Sequence, residues 1–295
     1  MKPLMGANVR IIPRLDIKGP NLVKGIQLEG LRVLGKPEWF ARRYYEQGAD
    51  ELFYMDVVAS LYQRNNLLDI VERTSRELFI PLTVGGGLRT VEDIRKVLRA
   101  GADKVSLNTA AIQRPDLIRE AAQRFGSSTI VVSIEAIKKP DGCYEAYTDN
   151  GRERTGFDAW KWAVRAAELG AGELLVTSID REGTGKGFDL ELTRTIAQSV
   201  TIPVIACGGA GALAHLLEVV REGRADAVCL ASLLHYEAAA PRALPTGEGG
   251  EGNAEFLRSQ RTGAPVQGVT LEEVKACLLA QGVRCRAHRK ELVHV

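Results

Sequence analysis

Residues 48–56, GADELFYMD, and residues 170–180, GAGELLVTSID, are two copies of one pattern: a glycine turn, an acid, a strand-like apolar run and a closing aspartate. Three further pairs keep the same spacing. VGGG at 84–87 is matched by ACGGAG at 206–211, ADKVSLN at 102–108 by ADAVCLA at 225–231, and RLDI at 14–17 by SIEA at 133–136. All the offsets fall within about 119–124 residues. A shared offset implies two like halves with the same order of strands and glycine turns. A ligand site in one half therefore predicts a counterpart in the other.

Outward from these repeats, short β-branched runs alternate with amphipathic stretches. Strands are predicted at 9–17, 51–58, 80–84, 103–107, 129–135, 173–179, 202–207 and 226–231. Helices are predicted at 37–48, 66–78, 90–100, 115–125, 157–169, 189–199 and 212–222, two of them closed by Gly48 and Gly170 as helix C-termini often are. Such alternation predicts parallel strands joined by crossovers. Eight strands in two equal halves predict a closed (β/α)₈ TIM barrel of the α/β class. A doubly wound open sheet is the rival, but its GxGxxG after the first strand is missing and it does not explain the repeat. A single domain spanning 1–295 is expected, with half-barrels at about 9–125 and 126–236. Residues 237–268, rich in Gly, Pro and small polar residues, interrupt the pattern as a loop insertion. A loop of that length is a functional lid or unstructured, and its composition favours the latter. A final helix is expected within 269–286, opened by a capping box of Thr270 and Glu273.

Composition narrows the class of function. The 39 basic and 37 acidic residues nearly cancel, which predicts no nucleic-acid footprint. No run of 18 or more apolar residues exists to span a membrane, and the N-terminus lacks the apolar core of a signal peptide. The five cysteines, Cys143, Cys207, Cys229, Cys277 and Cys285, form no CxxC pair, and His215, His235, His288 and His294 have no metal-ligand spacing. This reads as reduced cytoplasmic usage with no disulfide framework, no metal and no cofactor.

Barrel chemistry sits at the C-terminal ends of the strands. The first strand ends in Asp16 and the fifth, opposite it in an eight-strand ring, in Glu135. Two facing carboxylates suit general acid–base work, although each could equally be a strand-end acid bound to backbone or to a lysine. Gly85, Gly86 and Gly87 follow the third strand, and Gly208, Gly209 and Gly211 the seventh. Glycine lets several backbone N–H groups approach one anion. Asn108-Thr109 and Ala231-Ser232 end the fourth and eighth strands and add donors. Each half thus offers a phosphate cradle, which predicts a substrate with a phosphate at each end. At the opposite end, Arg10, Glu51, Lys104 and Glu173 begin strands one, two, four and six. Side chains two apart share a face, so these charges point inward with Asp16 and Asn108. Spacing favours a salt-bridge plug over a gate for a small molecule.

At these residues the chain resembles the cyclase subunits of imidazole glycerol phosphate synthase, the HisF-like family of histidine biosynthesis. The motifs are RIIPRLDIK, LVKG, GADELFYMD, PLTVGGG, GADKVSLNTAA, FGSSTIVVSIEA, TGFDAW, GAGELLVTSIDREGTGKGFD and PVIACGGAG, covering about 9–236, with the resemblance resuming at 269–286. The resemblance implies a bisphosphate ribonucleotide substrate and ammonia from a glutaminase subunit docked on the barrel floor as a heterodimer. The substrate is split and the imidazole ring closes. It implies that Asp16 and Glu135 are the catalytic acids, and that Arg10, Glu51, Lys104 and Glu173 are an ammonia gate rather than a plug. Lys24 matches the lysine of a flexible loop after strand one. The glycine clusters with Asn108, Thr109, Gly183, Thr184, Ala231 and Ser232 match the phosphate sites.

Some positions depart from the family pattern. Glu135 stands where Asp is usual, Arg14 where a small residue such as Cys is usual, KGPN at 18–21 replaces a KDGR-like loop, and Glu182 replaces Asp. The extra methylene of Glu135 moves its carboxylate by about 1.5 Å. A misplacement of about 1 Å costs roughly 10²-fold in rate. Arg14 points inward one layer below Asp16, where a bare guanidinium needs an anion. Glu135 is the expected partner and Asp16 the second choice; pairing with Arg14 would hold Glu135 ionised, with a lowered pKa. These departures point to a paralogue serving another amidation, such as surface-sugar synthesis, while the phosphate cradles point to the histidine-pathway cyclase. A non-catalytic assembly scaffold is the third reading.

Overall fold

The computed structural model describes residues 8–58, 67–239 and 266–287. Its strands in chain order are β1 (Arg10–Lys18), β2 (Asn21–Ile26), β3 (Glu29–Gly35), β4 (Leu52–Asp56), β5 (Leu82–Gly85), β6 (Lys104–Leu107), β7 (Ile130–Lys138), β8 (Tyr144–Thr148), β9 (Glu153–Asp158), β10 (Glu173–Ser178), β11 (Val204–Cys207) and β12 (Ala227–Leu230). Eight of them pair in parallel in the order β1-β4-β5-β6-β7-β10-β11-β12, and β12 returns to β1. The sheet is therefore a closed TIM barrel, with helices 37–46, 68–77, 91–99, 116–125, 159–168, 190–199 and 213–221 around it.

Local chemistry sets the helix ends. Thr90 accepts from the Asp93 N–H while the Asp93 side chain accepts from the Thr90 N–H, a reciprocal capping box that starts the helix at Val91. Gly48 and Gly170 take positive φ and return their N–H groups to Tyr45 and Ala167, ending the helices before them. Apolar residues such as Ile94, Val97, Ile118, Ala163 and Ile196 lie on the buried faces and fill the layer between helices and sheet.

The repeat runs further than the sequence reading carried it. Each half inserts a β-hairpin after its first strand, β2–β3 in one and β8–β9 in the other. Neither hairpin was predicted. The first turns at Gln27-Leu28, both at positive φ without the usual glycine or asparagine, so it carries no turn signal. The second turns at Asp149-Asn150-Gly151, a strong turn signal hidden in a polar stretch. Each half also adds a short helix after its last strand, 109–113 and 232–238. The residues before them, Asn108 (φ −129°, ψ −87°) and Ala231 (φ −123°, ψ −86°), match in backbone as well as in position.

The C-terminal segment packs beside the floor ends of β1 and β4. Thr270 and Glu273 form the capping box of helix Leu271–Ala280. Lys275 is buried and pairs with Asp50 at 2.7 Å, and Arg286 reaches the same carboxylate at 2.9 Å. Within the 237–268 stretch, residues 240–265 lie outside the described residues, as do His288 and His294.

Candidate functional site

Parity along the strands builds the barrel interior in layers. At the floor, Arg10 Nη1 lies 2.9 Å from Glu51 Oε2 and 3.1 Å from Glu173 Oε1. Lys104 Nζ lies 3.0 Å from Glu51 and 3.3 Å from Glu173, so two cations and two acids close a ring. Glu51 and Glu173 are repeat equivalents, and Thr83 Oγ1 donates to Glu51 at 2.6 Å. Two residues further along three of these strands the interior turns apolar, with Ile12, Phe53 and Leu175 beside Val131, Ile205 and Ala227, while Ser106 follows Lys104. These side chains separate the floor ring from the mouth.

At the mouth, β1 presents Asp16 and β7, four strands away in either direction, presents Glu135. Both are buried. The expected partnership is not the one formed. Arg14 Nε donates to Asp16 Oδ1 at 2.7 Å, and Arg14 Nη1 reaches Cys207 Sγ at 3.7 Å on β11; no bond runs to Glu135. The geometry explains the choice: Asp16 is two residues up the same face of the same strand, whereas Glu135 is across the ring. Burial works against the charge on Arg14, but Asp16 foremost, then Cys207 and Glu182, outweigh it and raise the guanidinium well above its ordinary value. The expectation that Arg14 depresses Glu135 is likewise corrected. Burial pushes Glu135 up from 4.5 to about 7, and the opposing pull of Arg14 and of the Gly151 N–H does not offset it. Glu135 Oε2 has no hydrogen-bond partner among the described residues.

Lys24 lies on β2 and not on an open loop. It is buried and forms a short ion pair with Glu182. The hairpin carrying it folds across the mouth: Gln27 N–H donates to the Glu182 carbonyl at 2.8 Å, and Asn150 on the second hairpin donates to the Leu28 carbonyl at 3.4 Å. The two repeat-related hairpins thus meet over the barrel.

The glycine turns lie on this same rim, each at the C-terminal end of its strand. A Cβ on Gly86 (φ +100°) would sit 2.3 Å from the Asp56 carbonyl oxygen, and one on Gly209 (φ +106°) 2.1 Å from the Gly187 carbonyl oxygen. Both turns therefore need glycine for backbone contact, whatever else they bind. They differ in what covers them. The first turn opens into a cavity of about 280 Å³ lined by Gly86, Gly87, Asn108, Thr109, Ser133 and Glu135, among others. The second is packed against 181–187: Gly187 N–H donates to the Gly209 carbonyl at 2.8 Å, and Gly183 abuts the backbone of Gly25. Ser232, whose buried hydroxyl has no partner among the described residues, and Ala231 stand at the end of β12. Thr184 Oγ1 donates back to the Arg181 carbonyl at 2.7 Å.

The cavity also gathers residues the sequence reading passed over: Asp56, Ser106, Ser133, Asp149 and Asn150. The hydroxyls of Ser106 and Ser133, the Asn108 Oδ1 and the Thr177 Oγ1 are buried without partners among the described residues. Strand parity with Asn108 and Glu135 was the signal that would have found the two serines.

By architecture and rim chemistry this is a twofold (β/α)₈ TIM-barrel protein with a charged floor ring and, at the C-terminal rim, opposed acids between paired glycine turns. Residues 10–240 match the family described as histidine biosynthesis protein. The chain is 60% identical over 207 residues to imidazole glycerol phosphate synthase subunit HisF of Legionella pneumophila, covering 70% of this chain and 98% of that one. It is 50% identical over 234 residues to the HisF subunit of Alkaliphilus metalliredigens (strain QYMF), covering 79% and 93%. The chain belongs to the HisF family, the cyclase subunits of imidazole glycerol phosphate synthase in histidine biosynthesis. Both relatives are named as subunits of a synthase, and no helix among the described residues is long and apolar enough to cross a membrane.

Proposed function

We propose that the barrel takes ammonia from a glutaminase partner seated on its floor and uses it on a bisphosphorylated ribonucleotide held at the mouth. It splits that substrate into imidazole glycerol phosphate and an aminoimidazole carboxamide ribonucleotide. In this reading Glu135 gives a proton to the departing group and Asp16 takes one from the entering nitrogen. The observation that carries it is the pair of buried acids on opposite strands of one mouth, one held by a guanidinium and one left with a free oxygen. An acid pushed up to about 7 is well matched to proton transfer at neutral pH.

Gly85, Gly86, Gly87, Asn108 and Thr109 serve one phosphate, and Gly183, Thr184, Gly208, Gly209, Gly211, Ala231 and Ser232 the other, with Lys24 beside it. Binding at the second cradle requires the hairpin carrying Lys24 to lift from Glu182. Arg10, Glu51, Lys104 and Glu173 act as the ammonia gate: the ring is held by side-chain ion pairs, so one cation swinging aside opens the floor to the apolar layer above it. No cofactor or metal enters this scheme, which belongs in the cytoplasm. The test is product formation from the bisphosphate with ammonium salts alone, then with glutamine and the partner subunit. Both products should appear under both conditions, and an inert enzyme that still binds the bisphosphate would refute it.

One observation favours a second reading, in which the same barrel serves another amidation. The cavity reaches only the first glycine turn, which suits an acceptor gripped at one end. A singly phosphorylated acceptor consumed faster than the bisphosphate would establish that alternative.

A further inference from the structure

The repeat makes Asp16 and Glu135 equivalent, and two residues earlier on the same face it makes Arg14 and Ser133 equivalent. Here the two halves break their symmetry. Under Asp16 lies a long cation, 1% exposed, whose Nε donates to the carboxylate at 2.7 Å. Under Glu135 lies a short hydroxyl that faces the cavity and makes no bond to that acid. The guanidinium leans along the wall over β12 toward Cys207 on β11, so it fills the second-half side of the interior and leaves the first-half side open.

We propose that Arg14 is a positioning residue for the cyclase reaction: it holds the Asp16 carboxylate in one orientation on the wall, while Ser133 in the equivalent place leaves Glu135 unclamped to give the proton. The proposal rests on the acid–base reading above and assigns the two roles that the internal repeat alone leaves interchangeable.

Charge balance supports it. Arg14 and Lys24 are neutralised by Asp16 and Glu182, two cations against two anions in one buried cluster. A charge on Glu135 would be a third anion with no cation of its own. The titratable and charged groups that bear most on the two acids come from several elements, and Arg14 Nη2 keeps no partner among the described residues. Arg14 shares β1 with Asp16, and Lys24 comes from β2. Glu182 comes from the loop after β10, Cys207 and Cys229 from β11 and β12, and Asp149 from the β8–β9 turn. His235 backs β1 from outside, its Nε2 2.9 Å from the Arg14 carbonyl. Burial holds that imidazole down at about 3, so it is neutral and adds no competing charge at neutral pH.

The experiment compares wild type with Arg14→Met and Arg14→Lys. The side-chain carboxyls of Asp16 and Glu135 are followed by carbon NMR of Asp- and Glu-labelled protein, assigned with Asp16→Asn and Glu135→Gln. This needs no substrate. The expected result is separate titrations in wild type that become mutually dependent in Arg14→Met and separate again in Arg14→Lys. In ammonium-driven turnover, Arg14→Met should lose about tenfold or more in kcat. Its KM should stay within about twofold, the pH profile should move, and the lysine should recover most of the loss. Identical carboxyl titrations in wild type and Arg14→Met would overturn the proposal, as would an unmoved pH–rate profile. Should Arg14→Met fail to fold, Arg14→Gln, which keeps a donor for Asp16 without the charge, takes its place with the same expected outcomes. A wild type that makes no product would refute the cyclase scheme, while the NMR titration would still decide the role of Arg14.

Discussion

Replacing Glu135 with glutamine should make the protein more stable at pH 8 and leave its stability almost unchanged at pH 4.5. The carboxyl is buried, one of its oxygens has no partner among the described residues, and it holds its proton up to about 7 against an ordinary 4.5. Between those values the unfolded chain has released a proton that the folded chain keeps. The group's contribution is thus fully present below 4.5 and lost as pH rises through 7. At about 1.4 kcal/mol per pH unit of separation, the charged carboxylate costs about 3 kcal/mol above pH 7. Glutamine is isosteric and carries no such cost. For a domain of this size that corresponds to roughly 6–12 °C in Tm. Urea unfolding of wild type and Glu135→Gln at pH 4.5, 6 and 8 measures it directly, because the other titrating groups cancel in the difference. A difference that does not change with pH, or a variant that loses stability at pH 8 relative to wild type, would refute the burial argument.

His235 provides the opposite slope. Burial holds it at about 3 against 6.5, so its contribution is present above 6.5 and lost on acidification toward 3; its removal in His235→Phe should flatten the acid side of the stability profile while costing stability at pH 7, since Tyr44 and the Arg14 carbonyl lose their partner. Lys24→Met should strand Glu182 in a buried site at a cost of about 3–5 kcal/mol, and Lys24→Met with Glu182→Leu should recover much of it, as a denaturation cycle over the four proteins would show. Gly86→Ala should destabilise by more than about 1–3 kcal/mol, because its Cβ would overlap the Asp56 carbonyl at positive φ; a Tm equal to wild type would mean the turn adapts. Lys104→Met should open the floor ring and change glutamine-driven turnover with the partner far more than ammonium-driven turnover, and equal effects on both would count against a gate.

The barrel was legible because its signal is periodic and repeated. Eight apolar runs, the glycine turns and a common offset of about 119–124 residues all encode one architecture, and parity along each run located Arg10, Arg14, Asp16 and Lys104 inside it. What escaped was set by distances that no local pattern carries. The hairpin at 21–35 turns on Gln27 and Leu28, which have no turn propensity; it is held instead by Lys24 on Glu182 and by Leu28 buried against the other half. The partner of Arg14 was a choice between two inward acids at different distances. The length of Glu135 and its place across the ring made the more distant acid attractive, while backbone proximity on a single strand decided for Asp16. The raised pKa of Glu135 follows first from its burial, which the charge on Arg14, bonded to Asp16 and not to Glu135, does not offset.

The most direct test of the whole account is turnover of the bisphosphate with saturating ammonium salt by wild type, Asp16→Asn and Glu135→Gln, with binding measured alongside. The account predicts wild-type formation of both products and a loss of about 10²–10⁴-fold in kcat in each variant, with the bisphosphate still bound. Turnover in either variant at the wild-type rate would contradict it.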